Sequence, residues 1–456
     1  MSQMEQVLPN KSAVQVVTKS IQDKLAQGEI KKKTKTGGKN IAVLDGIRAC
    51  AILAVMSFHV SQKTSNYLWT MAKHPLLSAV ETFGGSGVTL FFILSGFLLF
   101  LPFAKSLLFQ SKWPSIRQFY FKRVLRIIPG YYVALFVIVL IFEQQYLQPA
   151  YWKQLFLFVI FFMDSSHATF RQLNGPFWTL AIEWQFYMLL PLIALGFLFV
   201  AKRLPADPQK RLLIMVSCCL GLIVWGLFLR FIGDYFSTHP SPYLIVRIAL
   251  IFLYGMQGKY VENFAVGMII CLCYTYAFNP VCGLTLRRQL ERVSLLLGVV
   301  GLSLLLFTAI WHFNVTVMQL HVFKFMNILT QPFNWLNEMV IALGYGSCMT
   351  AILFGPRLLQ SIFSWKPLCS IGLVSYGLYM WHLPLLTYFV QKVLPYLSAH
   401  GTHFGLHSTY LLDWVWLAVV AGFVALLSYQ LIEKRWLQLG NYYLQSRAQK
   451  LQKQVS

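Results

Sequence analysis

The chain has 456 residues, of which 57% are apolar and only 12% are charged, and its mean hydropathy is +0.59. A soluble domain has about 45–50% apolar and about 25% charged residues, so this composition excludes an ordinary soluble protein. The 37 Phe, 22 Tyr and 13 Trp residues exclude a disordered chain, because so many aromatic rings must be buried. The net charge of +23 would indicate nucleic-acid binding in a soluble protein, but in a membrane protein topology has to be tested first.

The first 40 residues form a polar tail that contains eight lysines. A secretory signal has a much shorter charged region and a cleavage site of small residues, and this segment has neither feature. We therefore expect residues 1–40 to be a basic cytoplasmic tail and the apolar segment after it to stay in the mature protein as the first span.

Ten apolar stretches come close to the length needed to cross about 30 Å of hydrocarbon. They lie at about residues 41–61, 82–102, 128–146, 176–200, 212–232, 260–278, 294–313, 333–354, 371–393 and 412–432. Two others, 151–163 and 244–257, have only 13 and 14 residues, which favours interfacial or re-entrant helices. The sequence thus predicts an all-α polytopic membrane protein with about ten transmembrane helices and one or two short interfacial or re-entrant helices.

The basic residues predict the orientation. With the N-terminus inside, the cytoplasmic segments hold 28 Lys and Arg residues and the external segments hold 7. This asymmetry satisfies the positive-inside rule and predicts two cytoplasmic tails, 1–40 and 433–456, around a transmembrane domain at 41–432. Because topology explains most of the charge, we expect membrane lipids and no nucleic acid as partners.

Ionisable residues inside a span are costly and are therefore functional candidates. The first span contains Arg48 and His59, which are 11 residues apart and so lie on one stripe of the helix, about 16 Å apart along its axis. One helix thus carries a cation near the cytosol and a titratable base near the external side. The alternative is a snorkelling arginine with an interfacial histidine.

Two further candidates are a basic cluster before the third span and a serine in the second span. Lys122, Arg123 and Arg126 form a compact cationic cluster that suits phosphates, although positive-inside topology and lipid headgroups are alternatives. Ser95 lies among small residues of the second span, where helix packing and substrate lining both remain open.

Two later spans also carry polar candidates. Glu183 lies about seven residues from the external end of its span and needs a partner, which makes a Glu183-oriented His59 conceivable. His382 is placed near mid-membrane in the ninth span. For three further intramembrane charges, Arg230, Glu262 and Glu338, we expect ion pairs.

We predict no metal site. None of the eight cysteines has zinc-ribbon spacing, and we expect no external disulfide framework. His400, His403 and His407 have helical spacing on the last external loop, but Gly401 and Gly405 argue against a stable helix there. The chain also lacks a G-x-S-x-G elbow, an H-E-x-x-H motif and a Walker loop.

Together these motifs resemble the acyltransferase 3 family of integral membrane acyltransferases over residues 41–432. The resemblance depends on their order and spacing along the chain, since each motif alone is weak. The matching segments are 44–48 (LDGIR) with His59 eleven positions after Arg48, 91–97 (FFILSGF), 123–129 (RVLRIIP), 178–187 (WTLAIEWQFY), 263–268 (NFAVGM) and 375–382 (SYGLYMWH).

The resemblance implies transfer of an acyl group, commonly acetyl, from cytosolic acyl-CoA to a hydroxyl group, often of a sugar at the other membrane face. The family's Arg and His of span one match Arg48 and His59, and its R-x-x-R motif matches Arg123 and Arg126. On this basis we expect the arginines, with Lys122 beside them, to hold the donor's phosphates. We expect His59 to act as general base, or else to form an acyl-histidine.

The same hypothesis places Glu183 as the group that orients the imidazole, and Ser95, Tyr376 and His382 on the acceptor side. The acceptor is a sugar, glycan, lipid or small molecule with a hydroxyl group, and the expected location is the plasma membrane. Some members carry a second, esterase-like external domain; we expect none here, and therefore direct transfer or a separate partner. The competing hypothesis is a secondary transporter or lipid flippase, in which buried charges line a substrate path.

Overall fold

A computed structural model describes residues 42–65, 75–203, 205–312, 330–399 and 405–455. Helices account for nearly all regular structure in these ranges, and no strand occurs in them. The helices are α1 Ala42–Ser65, α2 Pro75–Phe83, α3 Gly87–Phe109, α4 Ile116–Ile141, α5 Trp152–Val159, α6 Phe177–Ala201, α7 Pro208–Thr238, α8 Leu244–Leu253, α9 Val261–Ala277, α10 Leu284–His312, α11 Asn337–Phe354, α12 Arg357–Phe363, α13 Lys366–Leu373, α14 Ser375–Tyr388, α15 Leu394–Ala399, α16 Leu406–Trp416, α17 Gly422–Ser428 and α18 Lys434–Val455.

Eight helical stretches among the described residues are long and apolar enough to cross a membrane. They cover eight of the ten predicted spans. The other two predicted spans are also helical: α9 has 17 residues, and α14 continues through a π-helical turn, Phe389–Val393, into α15. The short stretches form α5 and α8, of 8 and 10 residues, which are too short to cross. The prediction of an all-α polytopic membrane protein is confirmed.

The central helix of the bundle is α3, which packs against α1, α6, α9 and α11. The backbones of α3 and α9 approach each other closely. A Cβ atom on Gly96 would lie 2.2 Å from the carbonyl oxygen of Phe264, and one on Gly267 would lie 2.0 Å from that of Ile93. Small residues allow such close approach between helices in a membrane, so Gly96 fixes the position of Ser95 next to it.

The outer helices present apolar side chains away from the bundle. Phe136 of α4, Val224 of α7 and Leu302 of α10 are all more than half exposed. Exposed apolar surface of this extent is expected where lipid rather than water surrounds the protein. The helix of the last predicted span continues past residue 432: two π-helical turns, Leu417–Ala421 and Tyr429–Glu433, connect α16, α17 and α18 into one long helix.

Candidate active site

Three guanidinium groups line one small cavity of about 90 Å³, which we call the inner cavity. Arg48 comes from the first half of α1, and its Nη1 atom donates to Oδ1 of Asp45 at 3.0 Å. Arg123 and Arg126 come from α4, where spacing of three residues puts them on one helix face. Nε of Arg123 is enclosed and makes no hydrogen bond to any described residue. The sequence-predicted arginines therefore meet, with donor groups to spare for an anion.

Lys122 lies outside this cluster, although the sequence groups it with the two arginines. Its side chain is exposed, and it is not among the described residues that line the inner cavity. Adjacent residues of a helix point about 100° apart, so Lys122 and Arg123 take different directions.

Glu183 lines the same inner cavity and not the space around His59. One of its carboxylate oxygens, Oε1, accepts hydrogen bonds from the hydroxyl groups of Ser95 and Tyr187. The expectation that Glu183 orients His59 is therefore not met in this geometry. Counting depth from the start of α6 misled the prediction, because this helix already begins inside the bundle: Asn174, just before it, and Phe177, its first residue, are both buried.

Ser95 and Tyr376, both expected on the acceptor side, also line the inner cavity. The hydroxyl group of Tyr376 donates to the carbonyl oxygen of Ile127 at 2.9 Å, which connects α14 to the arginine-bearing helix α4. Gly130 permits this approach, since a Cβ atom there would lie 2.9 Å from the Tyr376 ring. These two polar residues thus lie beside the arginines.

His59 lines a second and much larger cavity of about 1180 Å³, which we call the outer cavity. Its ring centroid lies 5.3 Å from that of His382. Nδ1 of His382 donates to the carbonyl oxygen of Leu378 at 2.9 Å, so its Nε2 is free to accept when the ring is neutral. Nδ1 of His59 and Nε2 of His382 are both enclosed and make no hydrogen bond to a described residue. The structure thus brings His59 and His382 together.

One wall of the outer cavity is a segment that the sequence did not indicate. All six residues of 171–176 line the cavity. Arg171 and Leu173 have φ angles of 57° and 61°, and Tyr260 on the neighbouring wall has 54°. These left-handed conformations are strained for residues other than glycine and persist only where surrounding contacts impose them, which is common at binding sites. No sequence pattern signals this backbone geometry.

Contacts that hold this wall come from Arg230, one of the predicted intramembrane charges. Its Nη2 atom lies 2.5 Å from Oε1 of Glu262, and its Nη1 atom donates to the carbonyl oxygen of Gln257 at 2.9 Å. The side chain of Gln257 accepts a hydrogen bond from Nη2 of Arg171 at 3.1 Å. The predicted ion pairing is confirmed for Arg230 and Glu262, whereas Glu338 accepts a hydrogen bond from Thr89 at 3.1 Å.

The two cavities meet at a short partition, since Val88 and Tyr379 line both. The hydroxyl groups of Tyr379 and Thr179 are 2.6 Å apart, and the ring of Phe91 packs edge-on against Tyr379 at 5.9 Å. An arginine cluster with a carboxylate thus lies on one side of this partition, and an imidazole in a roomy cavity lies on the other.

The described residues contain no group of three His, Cys, Asp or Glu side chains arranged to hold a metal ion. His400 and His403, and the side chain of His407, lie outside the described residues.

Comparisons with known proteins identify the family of the chain. The family model for the acyltransferase domain of the acyltransferase 3 family matches residues 41–433. The chain is 28% identical to the peptidoglycan O-acetyltransferase OatA of Listeria monocytogenes over 78% of its length and 51% of that protein. It is 23% identical to the putative peptidoglycan O-acetyltransferase YrhL of Bacillus subtilis (75% and 48% coverage) and 24% identical to the O-acetyltransferase OatA of Staphylococcus aureus (77% and 52%).

The chain spans about half the length of these relatives. No solved structure matches it. Because the family model covers most of the chain and the fold is a polytopic helical bundle, the protein belongs to the acyltransferase 3 family of integral membrane acyltransferases.

Proposed function

We propose that this protein transfers an acetyl group from cytosolic acetyl-CoA to a hydroxyl group of a glycan on the external side of the membrane. The observation that carries the proposal is the pair of cavities that meet at Val88 and Tyr379, with three arginines in one and His59 in the other. The relatives named peptidoglycan O-acetyltransferases support a peptidoglycan sugar as the acceptor.

The donor would enter from the side where Arg48, Arg123 and Arg126 lie. Arginine suits phosphate because its planar fork makes paired charge-assisted hydrogen bonds. The inner cavity is too small for the nucleotide, so its phosphates would lie at the cytoplasmic end of the cluster and the narrow thioester arm would reach towards the partition. Glu183, with Ser95 and Tyr187 as its donors, would then fix the polar side of this passage.

The acceptor would occupy the outer cavity, whose chemistry suits a sugar. Its lining combines aromatic rings with amide side chains, which match the apolar faces and the hydroxyl groups of a pyranose. The aromatic residues include Trp178, Tyr260 and Tyr388, and the amides include Gln62, Gln172 and Asn337. The strained wall at residues 171–173 supports a binding site that is formed before the ligand arrives.

In the proposed reaction His59 removes the proton from the acceptor hydroxyl group as its oxygen attacks the thioester carbonyl carbon. The carbon–sulfur bond then breaks, and the CoA thiolate takes up a proton, so that an ester and free CoA result. General-base catalysis of this kind is worth about 10²–10⁴-fold in rate. His382, 5.3 Å from His59, would hold the imidazole in place. An acyl-histidine on His59 is the alternative course of the same transfer.

We further propose that the protein lies in the plasma membrane with both termini in the cytoplasm. The support is the excess of 28 over 7 basic residues on the segments assigned to the cytosol. Reporter proteins fused to each terminus should resist protease added to intact spheroplasts. Cleavage of either reporter would refute this orientation.

The direct test uses purified protein in nanodiscs with acetyl-CoA labelled in the acetyl group and soluble peptidoglycan fragments as acceptors. The expected result is label in ester linkage on the glycan and release of one CoA per ester. Mass spectrometry of glycans, lipids and small metabolites from cells with and without the gene should show loss of an acetyl mass increment. The same protein is also reconstituted in lipid vesicles. If it moves a glycan or lipid across the vesicle membrane without consuming acetyl-CoA, the result would instead support a transporter or flippase.

A further inference from the structure

The last long helix carries a buried carboxylate that the proposed reaction does not use. Glu433 ends the π-helical turn Tyr429–Glu433 and is only 6% exposed, whereas Lys434 and Arg435 after it are exposed. Its Oε1 atom is enclosed and makes no hydrogen bond to any residue that the structure describes. Burying a carboxylate without a hydrogen bond is costly, so a compensating positive charge is expected nearby.

The surroundings of Glu433 are those of the arginine cluster. The π-helical turn packs against α4, the helix that carries Arg123 and Arg126. Arg126 of that helix lies near enough to Glu433 for a Coulombic attraction, and Tyr376 also lies within electrostatic range of the Glu433 carboxylate. Arg126 and Tyr376 both line the inner cavity, whereas Glu433 does not. The carboxylate therefore lies behind two residues of the candidate donor site.

The geometry fits a role through Arg126 better than direct contact with a ligand. A carboxylate that faced the donor would repel its phosphates, but one behind the cluster attracts the guanidinium of Arg126 without opposing the donor directly. The guanidinium nitrogens of Arg126 and the carboxylate oxygens of Glu433 are more than 4 Å apart, so the two side chains form no direct ion pair. The guanidinium therefore keeps its donor groups for another anion. π-helical turns are rare and frequently occur at functional sites.

We infer that Glu433 is a positioning residue that holds the guanidinium of Arg126 ready for a phosphate group of the donor. This inference rests on the proposed function, in which Arg126 binds acyl-CoA. A guanidinium that is already oriented loses less side-chain freedom when the phosphate binds, so donor affinity increases while the chemical step is unaffected.

The test is Glu433→Gln, which keeps the shape of the side chain and removes its charge. We expect the KM for acetyl-CoA to rise roughly fivefold and kcat to change by less than about twofold, because only preorganisation is lost. In protein that already carries Arg126→Gln, the same change should have no further effect on this KM. The matched control is Glu291→Gln, since Glu291 is an exposed carboxylate paired with Arg287 on α10, and it should leave the KM unchanged.

Thermal unfolding of the same variants gives a measurement that does not depend on activity. Arg126→Gln should lower the midpoint, because it leaves the buried charge of Glu433 uncompensated. Adding Glu433→Gln to that variant should recover part of the loss. Absence of this recovery would overturn the inferred interaction.

The two readouts separate the possible failures. If wild-type protein binds acetyl-CoA and Glu433→Gln raises the KM equally with and without Arg126, the positioning role is wrong. If wild-type protein binds no acetyl-CoA while the midpoint recovers, the donor assignment of the proposed function fails, and the role of Glu433 in donor binding fails with it.

Discussion

The arginine pair on α4 gives the sharpest test of donor binding, because a neighbouring lysine provides a matched control. Arg123 and Arg126 line the inner cavity, whereas Lys122 beside them is exposed and lies outside it. All three carry the same charge within five consecutive residues of one helix. If the site binds phosphate, the double variant Arg123→Gln/Arg126→Gln should lose donor affinity and Lys122→Gln should not.

The magnitude follows from the hydrogen bonds at stake. A hydrogen bond to a charged group is worth about 1.5–3 kcal/mol, so loss of one from each arginine removes about 3–6 kcal/mol. Both arginines are partly exposed, which favours the lower end of this range. Since about 1.4 kcal/mol corresponds to a factor of ten, we expect the Kd for acetyl-CoA to rise about 100-fold and by at least tenfold. Lys122→Gln should change it by less than about twofold, as expected for an exposed charge.

The assay is isothermal titration of purified protein in nanodiscs with acetyl-CoA, at two salt concentrations. The folded state of each variant is checked by gel filtration and by the thermal unfolding midpoint. An unchanged Kd in the double variant, or an equal rise in Lys122→Gln, would refute the phosphate site. The cluster would then serve topology or lipid headgroup binding.

Three further predictions concern the base, the helix contact and the buried ion pair. His59→Gln should reduce acetyl transfer about 100-fold or more while acetyl-CoA binding persists, as measured by turnover and titration of the same preparation. Gly96→Ala should lower the thermal midpoint by several degrees, because its Cβ atom would lie 2.2 Å from a backbone oxygen, whereas Gly196→Ala has no atom within 4 Å and should be neutral. Arg230→Gln should cost about 3–5 kcal/mol of stability, because Glu262 stays buried without its partner, and Glu262→Gln in the same chain should recover part of this loss.

Each of these has a contrary outcome. Near-normal turnover of His59→Gln would exclude both the general-base and the acyl-histidine mechanisms and would make His382 the next candidate. Equal midpoints for the two glycine variants would contradict the close contact between α3 and α9. If adding Glu262→Gln to the Arg230→Gln variant lowers its thermal unfolding midpoint further, the two charges do not compensate each other.

The helical architecture was predictable from the sequence because hydrocarbon imposes length and apolarity on each span separately. The apolar stretches predicted where the helices lie, and the two short ones were recognised by length alone. The arginine cluster was also predictable in part, since spacing of three residues puts Arg123 and Arg126 on one face of any helix. These features depend on local sequence, and no contact between distant segments is needed to infer them.

Which groups lie together depends on contacts between helices, and only the tertiary structure decides them. Depth counted along a helix assumes that every span begins at the membrane surface, but Asn174 and Pro176 are already buried before α6 begins. Glu183 therefore lies among arginines and hydroxyl groups instead of beside His59. Likewise, the sequence placed Glu433 at the start of a cytoplasmic tail, whereas in the structure it ends a π-helical turn that packs against α4, and its side chain is buried. Rotation and vertical offset of helices are set by side-chain packing across the whole bundle, and no local pattern in the sequence records them.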